Sequence, residues 1–249
     1  PADGGAARAV PWLWREVEPL TRRAGGLFVA VIAGLTLLFT DGIAGGQRFP
    51  APDRPVAPII TPAYSDERTR DERGEAARVL DRLGVRSGMR VADIGAGDGY
   101  YTVRLARRGA VVWAEDIKAE YLERLQARLA RERIAGVTLV HGTAGDPKLP
   151  ATSVDLAILA HVYHEVENPY ELFYRLRAAL APGARVAIVD NDKPTQDHGT
   201  PPALLRCEMA ALGYRQMDFL PLTPADGYLA VFMPPAVLPP IEAIRRCVQ

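Results

Sequence analysis

The sequence predicts an α/β fold: a mostly parallel sheet, doubly wound by helices on both faces. Three observations carry that expectation. From Ser65 onward short apolar runs alternate with amphipathic helical stretches, the pattern of strands joined by crossover helices. The run Val91–Ile94 passes into Gly95-Ala96-Gly97-Asp98-Gly99 and then into a helical stretch. Such a strand–turn–helix unit has a backbone bare enough for a ligand to lie against it. The last run, from Tyr214 to Pro234, reads as two strands joined by a turn at Asp226-Gly227, which predicts an antiparallel edge.

The elements follow in order. Residues 65–84 form a charged helix with an apolar stripe at Ala76, Val79, Leu80 and Leu83, ended by Gly84. Residues 89–95 are the first strand and 99–109 a helix closing at Gly109. Residues 110–116 are the second strand, and 118–134 a long amphipathic helix with alternating charges on its outer face. Strands three and four fall at 136–142 and 153–161. A helix begins at Pro169 and stops at Pro182-Gly183, strand five covers 184–192, and a further helix covers 201–214 with proline in its first turn.

The N-terminal quarter is different in kind. Gly25 to Thr40 carries no charge; as a helix it covers roughly 24 Å, and extension to Ala44 brings it to the roughly 30 Å of a hydrocarbon core. Three readings compete. Arg22-Arg23, the apolar run and Gly42-Ile43-Ala44 fit a cleaved signal peptide; the same run fits an uncleaved membrane anchor or a buried core helix. The anchor is the expectation, because a core helix is hard to place before a linker with five prolines between Pro50 and Pro62. Arg8, Arg15, Arg22 and Arg23 precede the span, while Arg48 and Arg54 follow it. That bias puts the N-terminus in the cytoplasm and the main domain on the periplasmic side. Trp12 and Trp14 suit either interfacial anchoring or an ordinary partner-contacting helix. On this reading the chain divides into a juxtamembrane segment (1–24), a transmembrane helix (25–45), a proline-rich tether (46–64), the α/β domain (65–233) and a tail (234–249).

Composition excludes several classes. Thirty basic residues balance thirty acidic ones, which gives no case for nucleic acid as a partner. Cys207 and Cys247 are too few for a metal cluster or a disulfide framework, though one bridge stays open. The four histidines show no zinc spacing, and no metal is expected. No GxSxG elbow supports a nucleophilic serine.

The glycine turn carries carboxylates, Asp93 at its entrance and Asp98 within it. A diphosphate would be repelled there, whereas a cationic, amine-bearing ligand would be welcomed. Glu115-Asp116 ends the second strand, where a carboxylate takes ribose hydroxyls. A ribose, a base and a positively charged amino-acid tail together describe S-adenosylmethionine.

The stretches VADIGAGDGYYTVRLA, VWAEDI, LPATSVDLAILAHVYHEV and LRAALAPGARVAIVDND together resemble the class I S-adenosylmethionine-dependent methyltransferases, over about Asp66 to Met233. RPVAPI, RDERGEAARVLDRLG, VYHEV and PPIEAIRRC resemble a bacterial group of predicted methyltransferases that often carry an export signal. The resemblance implies a Rossmann-like sheet of seven strands in the order 3-2-1-4-5-7-6, strand 7 antiparallel. It implies that Asp93, Gly95, Gly97 and Gly99 cup the methionine portion of the cofactor and that Asp116 takes the ribose, with Ile117 beside it. Thr143 and Ala144 stand where the adenine is bounded; the acid usual directly after the glycine is absent, and Asp146 is displaced. His161 falls where cofactor and acceptor meet.

Methyl transfer needs a base only if the acceptor must lose a proton. Candidates cluster in AHVYHEV: His161, Tyr163, His164 and Glu165. His164 is the best base, since imidazole titrates near neutral pH, with Tyr163 beside it; wall packing for Tyr163, and a helix-start or surface pairing for His164 and Glu165, are the plainer readings. Asp190-Asn191-Asp192 reads as strand-end solvation or as an acceptor or metal contact, and His198 as part of a covering loop or a solvated turn. An exported domain would stand apart from a methyl donor made in the cytoplasm. Two functions therefore follow: a membrane-anchored methyltransferase acting on an unidentified small molecule or protein, or a non-catalytic accessory subunit of a respiratory or photosynthetic membrane complex.

Overall fold

The structure, a computed structural model, describes residues 48–59 and 67–248. The expected span at 25–45 lies outside them. Among the described residues no helix is long and apolar enough to cross a membrane.

Seven strands form one sheet: β1 (Arg90–Ile94), β2 (Val111–Asp116), β3 (Val137–His141), β4 (Val154–Ala160), β5 (Leu180–Asp190), β6 (Arg215–Pro221) and β7 (Tyr228–Met233). Their order is β3-β2-β1-β4-β5-β7-β6, the order expected. β7 pairs antiparallel with both β5 and β6, and the other pairings are parallel. Alternation along each strand sorts the core into two layers. Val91, Val112, Leu156, Ile158 and Val189 face α2 (Glu75–Arg82) and α3 (Tyr100–Arg107). On that same face Ala114 meets Leu125 and Leu129 of α4 (Ala119–Glu132). Ala92, Ile94, Leu159, Val186 and Ile188 face α5 (Pro169–Ala179) and α6 (Pro202–Ala211).

Two elements differ from the sequence expectation. The first charged helix breaks into α1 (Glu67–Glu72) and α2 because Gly74 takes φ 70°, outside helical space. α5 ends at Ala179 rather than at Pro182-Gly183, and β5 starts at Leu180. Had the helix continued, the Pro182 ring would have met the Ala178 carbonyl and left a turn without its donor. Its start matches expectation: Asn168 Oδ1 accepts from the Glu171 N–H at 3.1 Å, and Pro169 occupies the first turn.

The proline tether lies on its own domain. Arg54 is buried and its Nε bonds Glu208 of α6 at 3.0 Å, while its Nη2 reaches the Val166 carbonyl at 3.2 Å. The Ala57 N–H donates to the His164 carbonyl at 3.0 Å. The tail meets the tether from the other end, with Asp53 and Val248 forming a parallel bridge. Cys207 of α6 and Cys247 are joined in a disulfide, which settles the pairing that the sequence left open. The Tyr170 hydroxyl accepts from the Cys247 N–H at 2.9 Å.

Glu208 is where these contacts converge, since it also accepts the Tyr163 hydroxyl at 2.7 Å. Truncating one partner of such a buried pair strands the other charge, so Glu208→Ala should lower stability by about 3–5 kcal/mol. Urea unfolding of the two proteins side by side measures it; a loss under about 1 kcal/mol, the worth of an exposed pair, would show that the tether is not held this way.

Candidate active site

The parallel strands carry their C-terminal ends to one rim. Connections leave β1 and β4 toward opposite faces of the sheet, and a crevice opens between them, the usual ligand position in such sheets. The cavity there measures about 790 Å³. Its floor is the glycine turn and the end of β2, its far end the turn after β4, and one wall is the tether at Val56–Ile59.

The turn is built by close approaches. Gly95 has φ 69°, and a Cβ there would stand 2.7 Å from the Val162 methyls. Asp116 organises the rest: its Oδ2 accepts from the Gly97 N–H and its Oδ1 from the Lys118 N–H, both at 2.9 Å. Each oxygen keeps a lone pair for a further donor. Asp116 and Ile117 line the cavity, and so do Thr143 and Ala144 at the β3 end. Thr143 and Asp146 close a tight turn through paired backbone bonds, and the Asp146 carboxylate accepts from the Lys148 N–H at 2.8 Å. The displaced acid is thereby committed to its own loop.

Asp93 is buried at the cavity floor and accepts the Thr102 hydroxyl at 2.5 Å. Burial lifts its pKa to about 6 despite that bond. Gly99, expected to cup the ligand, does not line the cavity; it stands at the start of α3 with φ 86°, where a Cβ would meet Leu125 Cδ1 at 2.3 Å. Its bareness serves helix packing. Tyr163 is likewise corrected: fully buried and bonded to Glu208, it lies outside the cavity lining and is a core residue.

The far end holds the imidazoles. His161 lines the cavity at the β4 end with φ 57°, its Nε2 3.3 Å from Glu75 Oε1. His164 is 2 % exposed and its Nδ1 lies 2.8 Å from Asp190 Oδ1. Asp190 is itself fixed by the Thr200 hydroxyl at 2.8 Å and the Asn191 N–H at 2.9 Å. A carboxylate there accepts from Nδ1–H, which leaves the Nε2 lone pair of the neutral ring available. His198, from the loop after β5, meets the His164 ring edge-on at 5.4 Å between centroids.

Sequence reasoning missed three participants. Glu75 is buried, takes both Arg70 nitrogens at 2.8 and 2.6 Å and accepts the Tyr101 hydroxyl at 2.9 Å. Burial opposes its ionisation, but Arg70 and His161 prevail and hold it well below the usual carboxylate range. Its place beside the apolar stripe, next to Ala76, was the only signal. The tether wall gave none. Glu115 was read as the lesser neighbour of Asp116, yet it lines the cavity with Oε1 buried and without a hydrogen-bond partner. Glycine at 142 makes room for it, since a Cβ there would stand 1.8 Å from Oε1.

Burial, then the neighbouring Asp116 charge, pushes the Glu115 pKa to about 8. Because the folded value exceeds the ordinary 4.5, the unfolded chain releases this proton first as pH rises, and stability falls between the two values. Wild type should therefore lose stability relative to Glu115→Gln between pH 5 and pH 8, by up to about 1.4 kcal/mol per pH unit. Paired thermal melts across that range test it; parallel curves would mean that Glu115 titrates normally.

A family model described as a methyltransferase domain matches residues 92–188, the stretch from β1 through most of β5. An uncharacterized methyltransferase of Mycobacterium tuberculosis is 33% identical over 109 residues, 44% of this chain and 54% of that protein. The chain thus spans about half the length of that relative. A protein-L-isoaspartate O-methyltransferase of Anaeromyxobacter dehalogenans is 29% identical over 195 residues, 72% of this chain and 83% of that one. Among solved structures, a SAM-dependent methyltransferase from Aquifex aeolicus aligns with TM-score 0.58 at 20% identity, covering 68% of this chain and 97% of its own. A phosphoethanolamine N-methyltransferase of Haemonchus contortus, held with phosphoethanolamine and S-adenosylhomocysteine, aligns with TM-score 0.55 at 16% identity over 72% and 47%. Strand order, the Asp116-bound glycine turn and these matches agree: residues 92–188 match a methyltransferase domain, in a fold shared with the class I S-adenosylmethionine-dependent methyltransferases that the chain resembles.

Proposed function

We propose that the protein is a membrane-anchored methyltransferase that uses S-adenosylmethionine on an acceptor outside the cytoplasm. The observation that carries the catalytic part is the cavity itself, with a hydroxyl-accepting carboxylate at one end and an oriented imidazole at the other. Its volume of about 790 Å³ exceeds what a nucleoside with an amino-acid tail needs, and leaves space for an acceptor. The residues fit the cofactor: Asp116 offers free lone pairs to ribose hydroxyls, Ile117 stands beside it, Thr143 and Ala144 bound the base, and Gly95 and Gly97 expose backbone to the amino-acid tail. When bound, the cofactor supplies an electrophilic methyl carbon on a sulfonium.

The chain's own residues do the rest. Asp116 locks the turn and orients the ribose. The tether wall excludes water from the crevice. Asp190 holds the His164 ring so that Nε2 accepts a proton from an acceptor that must lose one. Much of the acceleration comes from holding donor and acceptor in line.

Placement outside the cytoplasm draws support from the basic residues ahead of residue 25 and from the Cys207–Cys247 disulfide. Disulfides persist in oxidising compartments and are rare in the cytosol.

Calorimetry of the full chain in detergent with S-adenosylmethionine and S-adenosylhomocysteine should show micromolar binding. Asp116→Asn keeps the side-chain shape but turns an acceptor into a donor, and should weaken binding at least about tenfold, the value of one charged hydrogen bond. Unaltered affinity would remove Asp116 from the ribose. A folded chain that binds neither molecule would favour the accessory-subunit reading.

A further inference from the structure

We propose that His164, Glu165 and His198 form a divalent-cation site of zinc type at the acceptor end of the cavity. Their ligand atoms all lie within 4.8 Å of one another, and all three residues line the cavity. No sequence spacing announces the site. His164 and Glu165 stand on the short turn after β4, and His198 comes from the loop after β5, over thirty residues later. The sheet brings them together because β4 and β5 are neighbours.

The surroundings are those of a ligand set. Asp190 engages His164 Nδ1, so Nε2 is the atom left to bind. A carboxylate behind a histidine in this way fixes the ring and strengthens it as a donor. Asp190 is held by two further bonds, from Thr200 and Asn191. His198 sits at φ 57°, a conformation uncommon for residues other than glycine. Asn191 Nδ2 donates to its carbonyl at 3.3 Å, and at Gly199 a Cβ would stand 2.6 Å from the Asn191 carbonyl oxygen. The loop is thus pressed against the end of β5 and presents its imidazole to the cavity.

Two imidazoles and one carboxylate suit zinc and its first-row neighbours rather than magnesium or calcium. Three protein ligands leave a position open, as catalytic sites do. His164 Nε2 and Glu165 Oε1 are 4.0 Å apart. Around a tetrahedral ion with bonds of about 2.0–2.1 Å, ligand atoms stand about 3.3 Å apart, so a small rotation of the half-buried Glu165 and His198 closes the set.

The open position faces the space left for the acceptor. A hydroxyl oxygen placed there loses its proton more readily, which assigns the acceptor to the hydroxyl-bearing class. With the ion bound, His164 Nε2 is a ligand and no longer the base: on such an acceptor a C–O bond forms as the donor's C–S bond breaks, the hydroxyl proton leaves to water, and the products are a methyl ether and S-adenosylhomocysteine. This acceptor class rests on the methyltransferase reading; the ion site does not.

The test is equilibrium dialysis of the full, oxidised chain against Zn²⁺, together with visible absorption on adding Co²⁺. Both cysteines are joined in the disulfide, so no thiolate contributes. The expected result is one Zn²⁺ per chain and a Co²⁺ spectrum of low coordination number. His198→Ala and Glu165→Gln should each weaken Zn²⁺ binding at least about tenfold, and Asp190→Asn, which removes only the support behind His164, about 10–100-fold. His141→Ala, at an exposed position, should leave binding intact and excludes adventitious histidine capture. A folded wild type that takes up no stoichiometric Zn²⁺, or binding that survives His198→Ala, overturns the site. S-adenosylhomocysteine calorimetry on the same samples separates the two proposals: retained cofactor binding with no metal sinks the ion site alone, and its loss sinks the methyltransferase reading.

Discussion

The Asp116 carboxylate is the constraint on which the ligand end of the molecule depends. One oxygen grips the Gly97 N–H and the other the Lys118 N–H. The first bond ties the turn after β1 to the end of β2; the second sets the course of the chain into α4. Charged acceptors form the stronger class of hydrogen bond, and in a buried place they cannot be released cheaply. The glycine turn is therefore shaped before any ligand arrives. It has to be, because Asp93, Glu115 and Asp116 crowd around it, and an unshaped turn would let water reach all three.

Burial of acids at this floor explains several features together. Glu115 and Asp93 are held toward their neutral forms, chiefly by loss of hydration. Burial lifts Asp116 as well, though the backbone N–H groups of Lys118, Gly97 and Ile117 offset part of that loss. At the other end the order is reversed. Glu75 is equally buried, yet Arg70 and His161 keep it charged. One crevice thus carries a carboxylate that resists ionisation and another that resists protonation.

Much of this was legible in the sequence, and the reason is local. Strand–helix alternation, the glycine turn and the acids at the strand ends are set by neighbours within a few residues, so the succession of elements and the Asp116 position could be read directly, while the strand order came from the family resemblance. Misreadings arose where the decisive partner is distant. Tyr163 looked catalytic beside His164, but Glu208, forty-five positions away, claims its hydroxyl. Gly99 looked like part of the ligand cradle, but Leu125 is what needs its missing Cβ. Arg54 looked like a flanking charge and is instead buried against α6. Lone residues in a proline-rich segment carry no periodicity, so nothing near them in sequence betrays where they dock.

The docking of that segment has a consequence for biosynthesis. The wall at Val56–Ile59 is made early, whereas Glu208 of α6, which grips Arg54 just ahead of it, and Cys247, bonded to Cys207 of α6, emerge later. A nascent chain halted before α6 would already possess its glycine turn but would lack one side of the crevice. Completion of the crevice is thus reserved for the end of synthesis. A polypeptide still being made therefore lacks the full crevice until its last residues have emerged.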